Sequence, residues 1–217
     1  MPRVSKISSQ KKAKRFNVFL DGKYAFSTGE LSLIEFGLKQ NKLISKDLIE
    51  KIVKREKSAT YLDLALRQLS VRPRSEKEIV DYLQRKIALY EGIKFQEAKD
   101  SPIINNVLLK LKKYDYINDK KFTDWFVKSK LKSNPESKRL IQYKLAQKGI
   151  SKEIIGTYKN RNLDDTKNAI AAVEKKAERW KKLPLLEFKK KIYHFLSYRG
   201  YDFETVQKAF AFYKEKR

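Results

Sequence analysis

The chain has 217 residues, no cysteine, one histidine, and 51 lysines and arginines against 26 aspartates and glutamates, a formal net charge of +25. Without cysteine there are no disulfides, thiolate metal sites or cysteine nucleophiles, and a single histidine cannot make a His-pair metal site. A hydrophobic fraction of 41% is enough for a core, while 35% charged residues with seven glycines and five prolines favour helices with solvated faces.

The start, Met1-Pro2-Arg3-Val4-Ser5-Lys6, lacks the apolar run of a signal peptide, and no run of eighteen apolar residues follows. The expected location is cytoplasmic. Asp21-Gly22 between Phe16–Leu20 and Lys23–Ser27 predicts a hairpin on a type I′ turn. A two-residue turn sets Val18 against Ala25 and Phe19 against Tyr24. A lone hairpin is marginal in water, so a third strand from Arg3–Ser9 or packing on the next helix is expected. Leu31, Ile34 and Leu38 predict a short helix ending near Gly37. Ser45 caps another helix, with an Ile44–Ile49 staple and an apolar face of Leu48, Ile52 and Val53. Residues 1–56 read as a small β-hairpin-plus-helices module, and Lys51–Ser58 as either continuous helix or linker.

A first helical repeat is expected over 57–115. Tyr61, Leu62, Ala65, Leu66 and Leu69 form one stripe, and Arg72-Pro73-Arg74 breaks it. Ser75 and Glu78 predict a capping box ahead of Ile79, Tyr82, Leu83 and Ile87. Residues 88–100 read as an insertion. Ser101-Pro102 starts a third helix carrying Val107, Leu108 and Leu111.

The second repeat is expected over 116–161. Asn118 caps its first helix, which carries Phe122, Trp125 and Phe126. Asn134 and Pro135 predict the start of the next helix, with Ile141 and Leu145 on one face. Gly149 stops it, Ser151 caps the third, and Ile150 can close over Ile155. The same grammar returns about fifty residues later, in a third repeat over 162–217. There Gly200 stands for Gly149, Tyr201 for Ile150, Asp202 for Ser151 and Val206 for Ile155. This repeat opens at Asp164, with Ala169, Ala172, Val173 and Trp180 facing inward, and closes with Val206, Ala209, Phe210 and Tyr213. The fold class is therefore mainly α, three tandem three-helix repeats behind a small β-containing module.

No chemistry is legible. The seven glycines form no phosphate-binding fingerprint, and the serines have no neighbouring base. His194, between Tyr193 and Phe195, reads as a partly buried packing residue. Asp164-Asp165 reads as a cap and dipole partner rather than a magnesium site. No enzyme, cofactor, metal site, small-molecule substrate or membrane contact is expected. Most aromatic residues share faces with aliphatic ones and read as core; Tyr90, Phe95 and Tyr198 are the exceptions that could stack on bases.

The charge points instead to a polyanionic partner, most often nucleic acid. The plainer reading is solubility, or a lysine-rich composition. Candidate binding residues are Arg72, Arg74 and Lys77 in the first repeat. The second offers Lys138, Arg139, Lys144 and Lys148, and the third Lys189, Lys190, Lys191 and Arg199. If the repeats stack in register these line one face, where each phosphate contact releases a counterion.

The segment Ala65–Glu78, with Arg72-Pro73-Arg74-Ser75-Glu76-Lys77-Glu78 at its end, resembles the RecX family. Tyr116-Ile117-Asn118-Asp119-Lys120-Lys121-Phe122 and Lys148-Gly149-Ile150 carry the same resemblance. It covers about residues 58–215, and the N-terminus looks like the extension of longer members. The resemblance implies an elongated curved array without a catalytic site. It also implies a regulator of RecA, and so of homologous recombination and the SOS response. Such a protein would bind the groove of the recombinase–DNA filament, bridge subunits, touch single- and double-stranded DNA, and lower filament growth, ATP hydrolysis and strand exchange. A monomer is expected. The rival is a stand-alone DNA- or RNA-binding protein of helix-turn-helix type. Against it, the third helices begin Ser-Lys-Glu-Ile and Asp-Phe-Glu-Thr, acidic where DNA would approach.

Overall fold

Three antiparallel strands open the chain in the order β1-β2-β3: β1 Val4–Ser9, β2 Arg15–Leu20 and β3 Lys23–Gly29. The structure is a computed structural model and describes residues 1–10, 14–159 and 164–216. Asp21 and Gly22 have φ of 48° and 82°, as a type I′ turn requires. Phe19 faces Tyr24 as expected, but Val18 faces Phe26 and not Ala25. A bulge at Ala25 inserts one residue into β3. It sets Val18 and Phe26 opposite each other, both buried.

Helix α1, Glu30–Glu35, is followed by Gly37 at φ 55°. Its expected stripe is not its buried face: Leu31 and Ile34 are exposed and only Leu38 is buried. The helix is held by Ser32, whose hydroxyl donates to the buried Glu56 carboxylate at 2.7 Å. Leu33 and Phe36 then pack on the core of Val4, Val18, Phe26, Leu38, Ile44 and Ile52. Glu56 also accepts from Thr28 Oγ1 at 2.9 Å and from Arg15 at 3.0 Å, so this buried charge is paired and hydrogen-bonded.

Glu56 lies on α2, Lys46–Val71, which runs unbroken through residues 51–58. The Ser45 hydroxyl caps it, accepting from the Leu48 amide at 3.2 Å. The helix stops before Arg72-Pro73. Helix α3, Glu76–Glu91, opens on the expected capping box: Ser75 Oγ accepts from the Glu78 amide at 3.2 Å, and Glu78 Oε2 accepts from the Ser75 amide at 3.3 Å. The segment 88–100 is the end of α3 and a short turn, α4, Phe95–Ala98. Gln84 donates to the Phe95 carbonyl at 2.7 Å. Helix α5, Pro102–Lys113, has proline in its first turn.

The chain forms two compact units, Met1–Gln68 with Tyr82–Tyr114, and Leu69–Asp81 with Asp115–Arg217. The division falls inside α2 and α3. The second unit holds two helical trios. In the first, α6 Asp119–Ser133, α7 Lys138–Gln147 and α8 Lys152–Lys159 enclose Phe122, Phe126, Ile141, Leu145, Ile150 and Tyr158. In the second, α9 Asp165–Trp180, α10 Leu185–Tyr198 and α11 Phe203–Glu215 enclose a core that includes Val173, Phe188, Ile192, Leu196, Tyr201 and Val206. The repeat boundary expected at 161/162 lies outside the described residues.

Asn134 does not start α7. It closes α6, and Ser137 is the cap, its hydroxyl accepting from the Leu140 amide at 3.1 Å. The intervening Pro135 and Glu136 are held by Arg199, Lys130 and Lys144, which keeps them out of the helix. Gly149 and Gly200 have φ of 79° and 80°, the left-handed stop expected of them.

Candidate functional site

In the second unit the same joint is built twice. A first-turn aspartate of one helix reaches the start of an earlier one. Asp119 Oδ1 accepts from the Glu76 amide at 2.9 Å, and Asp165 Oδ1 from the Lys138 amide at 3.0 Å. Each removes one orphan donor from a helix N-terminus. Burial pushes the Asp165 carboxyl above the ordinary carboxylate range, and the Lys138 amide pulls it part of the way back.

The glycine stops complete the joints. A Cβ on Gly149 would lie 2.7 Å from Lys77 Cβ, and one on Gly200 would lie 2.7 Å from Ser137 Oγ and 2.9 Å from Leu140 Cβ. The cation just before each glycine then reaches across. Lys148 Nζ donates to Glu78 Oε1 at 2.6 Å. Arg199 donates to the Pro135 carbonyl at 2.9 Å and to the Asn134 side-chain oxygen. The Ser137 amide also donates to the Arg199 carbonyl at 3.0 Å.

Beside the first joint lies a cleft of about 670 Å³. Arg72 and Lys148 share Glu78 there, with Arg72 contacts of 3.0 and 3.1 Å. Burial alone would raise the Glu78 carboxyl, but hydrogen bonds from Arg72 and Lys148 hold it down at about 2. Arg72 also lies over the Trp125 ring at 5.6 Å. Lys144 reaches both oxygens of buried Glu136 at 2.8 Å, and Lys77 pairs with Asp81 at 2.9 Å. The fold thus gathers Arg72, Lys77, Lys144 and Lys148 at one cleft, but each already has a carboxylate partner.

A second groove, of about 540 Å³, lies on α10 and α9. Lys190, Lys191, His194, Phe195 and Tyr198 line it with Trp180, and no carboxylate does. Trp180 meets Phe195 edge-on at 5.6 Å between centroids. His194 is exposed and not packed, because Phe188, Ile192 and Leu196 take the inward face of α10 at four-residue spacing.

The remaining candidates are dispersed. Lys189 lies over the Tyr193 and Phe210 rings at 5.4 and 5.8 Å. Arg74 and Lys138 are half-buried and partnered. Arg139 is exposed and has no partner among the described residues. Of the candidate stacking aromatics, Tyr198 is 85% exposed, while Tyr90 packs on Tyr61 at 6.4 Å and lies under Lys86. Sequence reasoning missed the acidic half of the joints, Asp119, Glu136 and Asp165. The recurrence of an acid at the start of α6 and α9 was a usable signal for two of them. Among the described residues no acid or histidine cluster could hold a metal ion, and no helix is long and apolar enough to cross a membrane.

Helical trios that follow a small antiparallel sheet in the chain define a helical-repeat protein. Known domain families divide the chain in the same order. Residues 2–45 match the Regulatory protein RecX N-terminal domain, and 62–87, 118–157 and 164–210 match the first, second and third RecX three-helix domains. The chain belongs to the RecX family. It is 34% identical to Regulatory protein RecX of Bacillus subtilis (strain 168), covering 96% of this chain and 76% of that one. With Regulatory protein RecX of Lactobacillus johnsonii it shares 38% identity over 71% of this chain and 53% of the relative. A crystal structure of regulatory protein RecX superposes with a TM-score of 0.63 at 25% identity, covering 95% of this chain and 98% of the other. RecX from Lactobacillus salivarius shares the fold, with a TM-score of 0.56 at 21% identity over 74% of this chain and 99% of that one.

Proposed function

We propose that this chain is a non-enzymatic, cytoplasmic regulator of the RecA recombinase, acting as a monomer on the recombinase–DNA filament. It lies in the filament groove, bridges neighbouring subunits, touches DNA, and disfavours filament growth, ATP hydrolysis and strand exchange. The observation that carries the reading is the match to RecX domains along the chain from residue 2 to residue 210. The geometry favours cations away from the first joint for the DNA contact of this reading. The cations of the first joint are occupied by Glu78, Asp81 and Glu136, whereas Arg139, Lys190 and Lys191 are exposed and have no partner among the described residues. A ligand shifts an equilibrium only by its differential affinity for two states. A protein spanning subunits acts by favouring a filament state that neither grows nor hydrolyses normally.

The test is recombinase ATPase activity on single-stranded DNA. Inhibition at well below one chain per recombinase supports the reading, and full activity at equimolar chain ends it. The acidic first turns of α8 and α11, Glu153 and Glu204, weigh against a recognition helix of a stand-alone DNA reader.

A further inference from the structure

The groove on α10 differs from the joint cleft in one respect that matters: its lysines have no acidic partner among the described residues. Lys191, His194 and Tyr198 are spaced i, i+3, i+7, so they lie one above another on one helical face, with Lys190 beside them. Tyr198 stands 85% exposed at the end of that row, beyond any packing need. Trp180 and Phe195, half-buried on the core and set edge to face at 5.6 Å, form an aromatic wall behind it, with the Arg199 guanidinium 4.4 Å over the Phe195 ring. A solvated lysine face accounts for Lys190 and Lys191 and core packing holds Trp180 and Phe195, but neither accounts for Tyr198.

We propose that this groove is a single-strand nucleic-acid site: unpaired bases stack on Tyr198 and the Trp180–Phe195 wall, and Lys190 and Lys191 take the adjoining phosphates. The inference rests on, and sharpens, the DNA contact proposed above. Charge complementarity selects a polyanion, because two lysines and no carboxylate line the groove. The aromatic wall selects unpaired bases, because bases stacked inside a duplex offer no free face. The groove supplies no array of fixed hydrogen-bond donors and acceptors such as base reading demands, so binding is indifferent to sequence.

The experiment uses the full chain with Trp125→Phe, which leaves Trp180 as the sole tryptophan. An oligothymidylate, an abasic deoxyribose-phosphate strand of equal length and polyglutamate are each titrated against Trp180 fluorescence. The expected result is quenching by oligothymidylate, with the abasic strand bound about tenfold or more weakly, the equivalent of one to two lost stacking contacts. Tyr198→Ala should weaken oligothymidylate binding about tenfold and leave the abasic strand unaffected, while Tyr198→Phe restores affinity. Lys190→Ala with Lys191→Ala should lower the salt slope by about 1.4, at roughly 0.7 per phosphate on a single strand. Equal binding of oligothymidylate and abasic strand would reduce the groove to an anion patch and overturn the proposal. So would displacement by polyglutamate at equal charge, which would assign the groove to an acidic peptide. If no strand quenches Trp180 while recombinase ATPase is still inhibited, this inference fails and the regulator reading stands. If oligothymidylate quenches and the recombinase is indifferent, the groove stands and the regulator reading fails.

Discussion

Gly149→Ala tests the joint most directly. Two costs are expected. A residue with Cβ at φ 79° costs about 1–2 kcal/mol. The new Cβ would also sit 2.7 Å from Lys77 Cβ and 2.9 Å from its Cδ, so α3 or α7 must yield. A Cβ on a helix cannot swing aside, and overpacking of this kind costs about 1–3 kcal/mol. The expected loss is therefore about 2–5 kcal/mol. Gly92 has φ of 66° with nothing within 4 Å of its would-be Cβ, so Gly92→Ala should cost only the first part. Lys77→Gly separates the two within one unit, since it deletes the atom that collides. In a double-mutant cycle Gly149→Ala and Lys77→Gly should then couple favourably by about 1–3 kcal/mol. Urea unfolding followed by tryptophan fluorescence reads this unit, because Trp125 and Trp180 both belong to it. A coupling below about 0.5 kcal/mol, within the scatter of additivity, would refute the close approach as the reason for glycine here.

Other outcomes follow from the charges and the buried polar groups. Glu78 is held at about 2 in the folded chain against an ordinary value of about 4.3, so its contribution is present above pH 4.3 and is lost as pH falls towards 2. Glu78→Gln should lower stability at pH 7 and flatten the acid limb between about pH 4.5 and 2 in a fluorescence-monitored pH series. Tyr201 buries a hydroxyl with no partner among the described residues, so Tyr201→Phe should leave urea stability unchanged or raise it by up to about 1 kcal/mol. A clear loss would reveal a bond to that oxygen. Glu56→Ala should destabilise the first unit by about 1–3 kcal/mol in calorimetry, because Arg15, Thr28 and Ser32 lose their common acceptor. Glu56→Gln, which keeps a carbonyl for the hydroxyls, should lose less.

What could be read from residues alone was mostly local. Caps, stops and apolar periods depend on residues three or four apart, so the Ser75–Glu78 box and the Gly149 and Gly200 stops were legible. The failures came where a distant residue overrode a local preference. Asn134 is a good cap by type, yet the carbonyl beside it is taken by Arg199, which is 64 residues from Pro135 in sequence, and α7 starts later. Leu31 and Ile34 have helical spacing, but a bond from Ser32 to Glu56, 24 residues on, decides which side of α1 is buried. The Ala25 bulge answers the need to set Phe26 beside Val18 in the core, which turn chemistry alone does not express.

The charge pattern shows the same limit with a functional consequence. In a sequence every lysine counts alike. In the folded chain Lys148 and Arg199 occupy equivalent places before a glycine stop, and each is consumed by a joint, one on a carboxylate and the other on a carbonyl and an amide oxygen. Their substitution should therefore act on stability before it acts on any polyanion. Lys190 and Lys191 lie more than two turns before Arg199 on the same helix that carries Tyr198, with no such partner among the described residues, and their substitution should act on binding alone. Fusing these two kinds of cation into one stripe counts cations already held by the joints together with those that have no partner among the described residues. Separating them concentrates the reading on α10, where charge and aromatic exposure coincide.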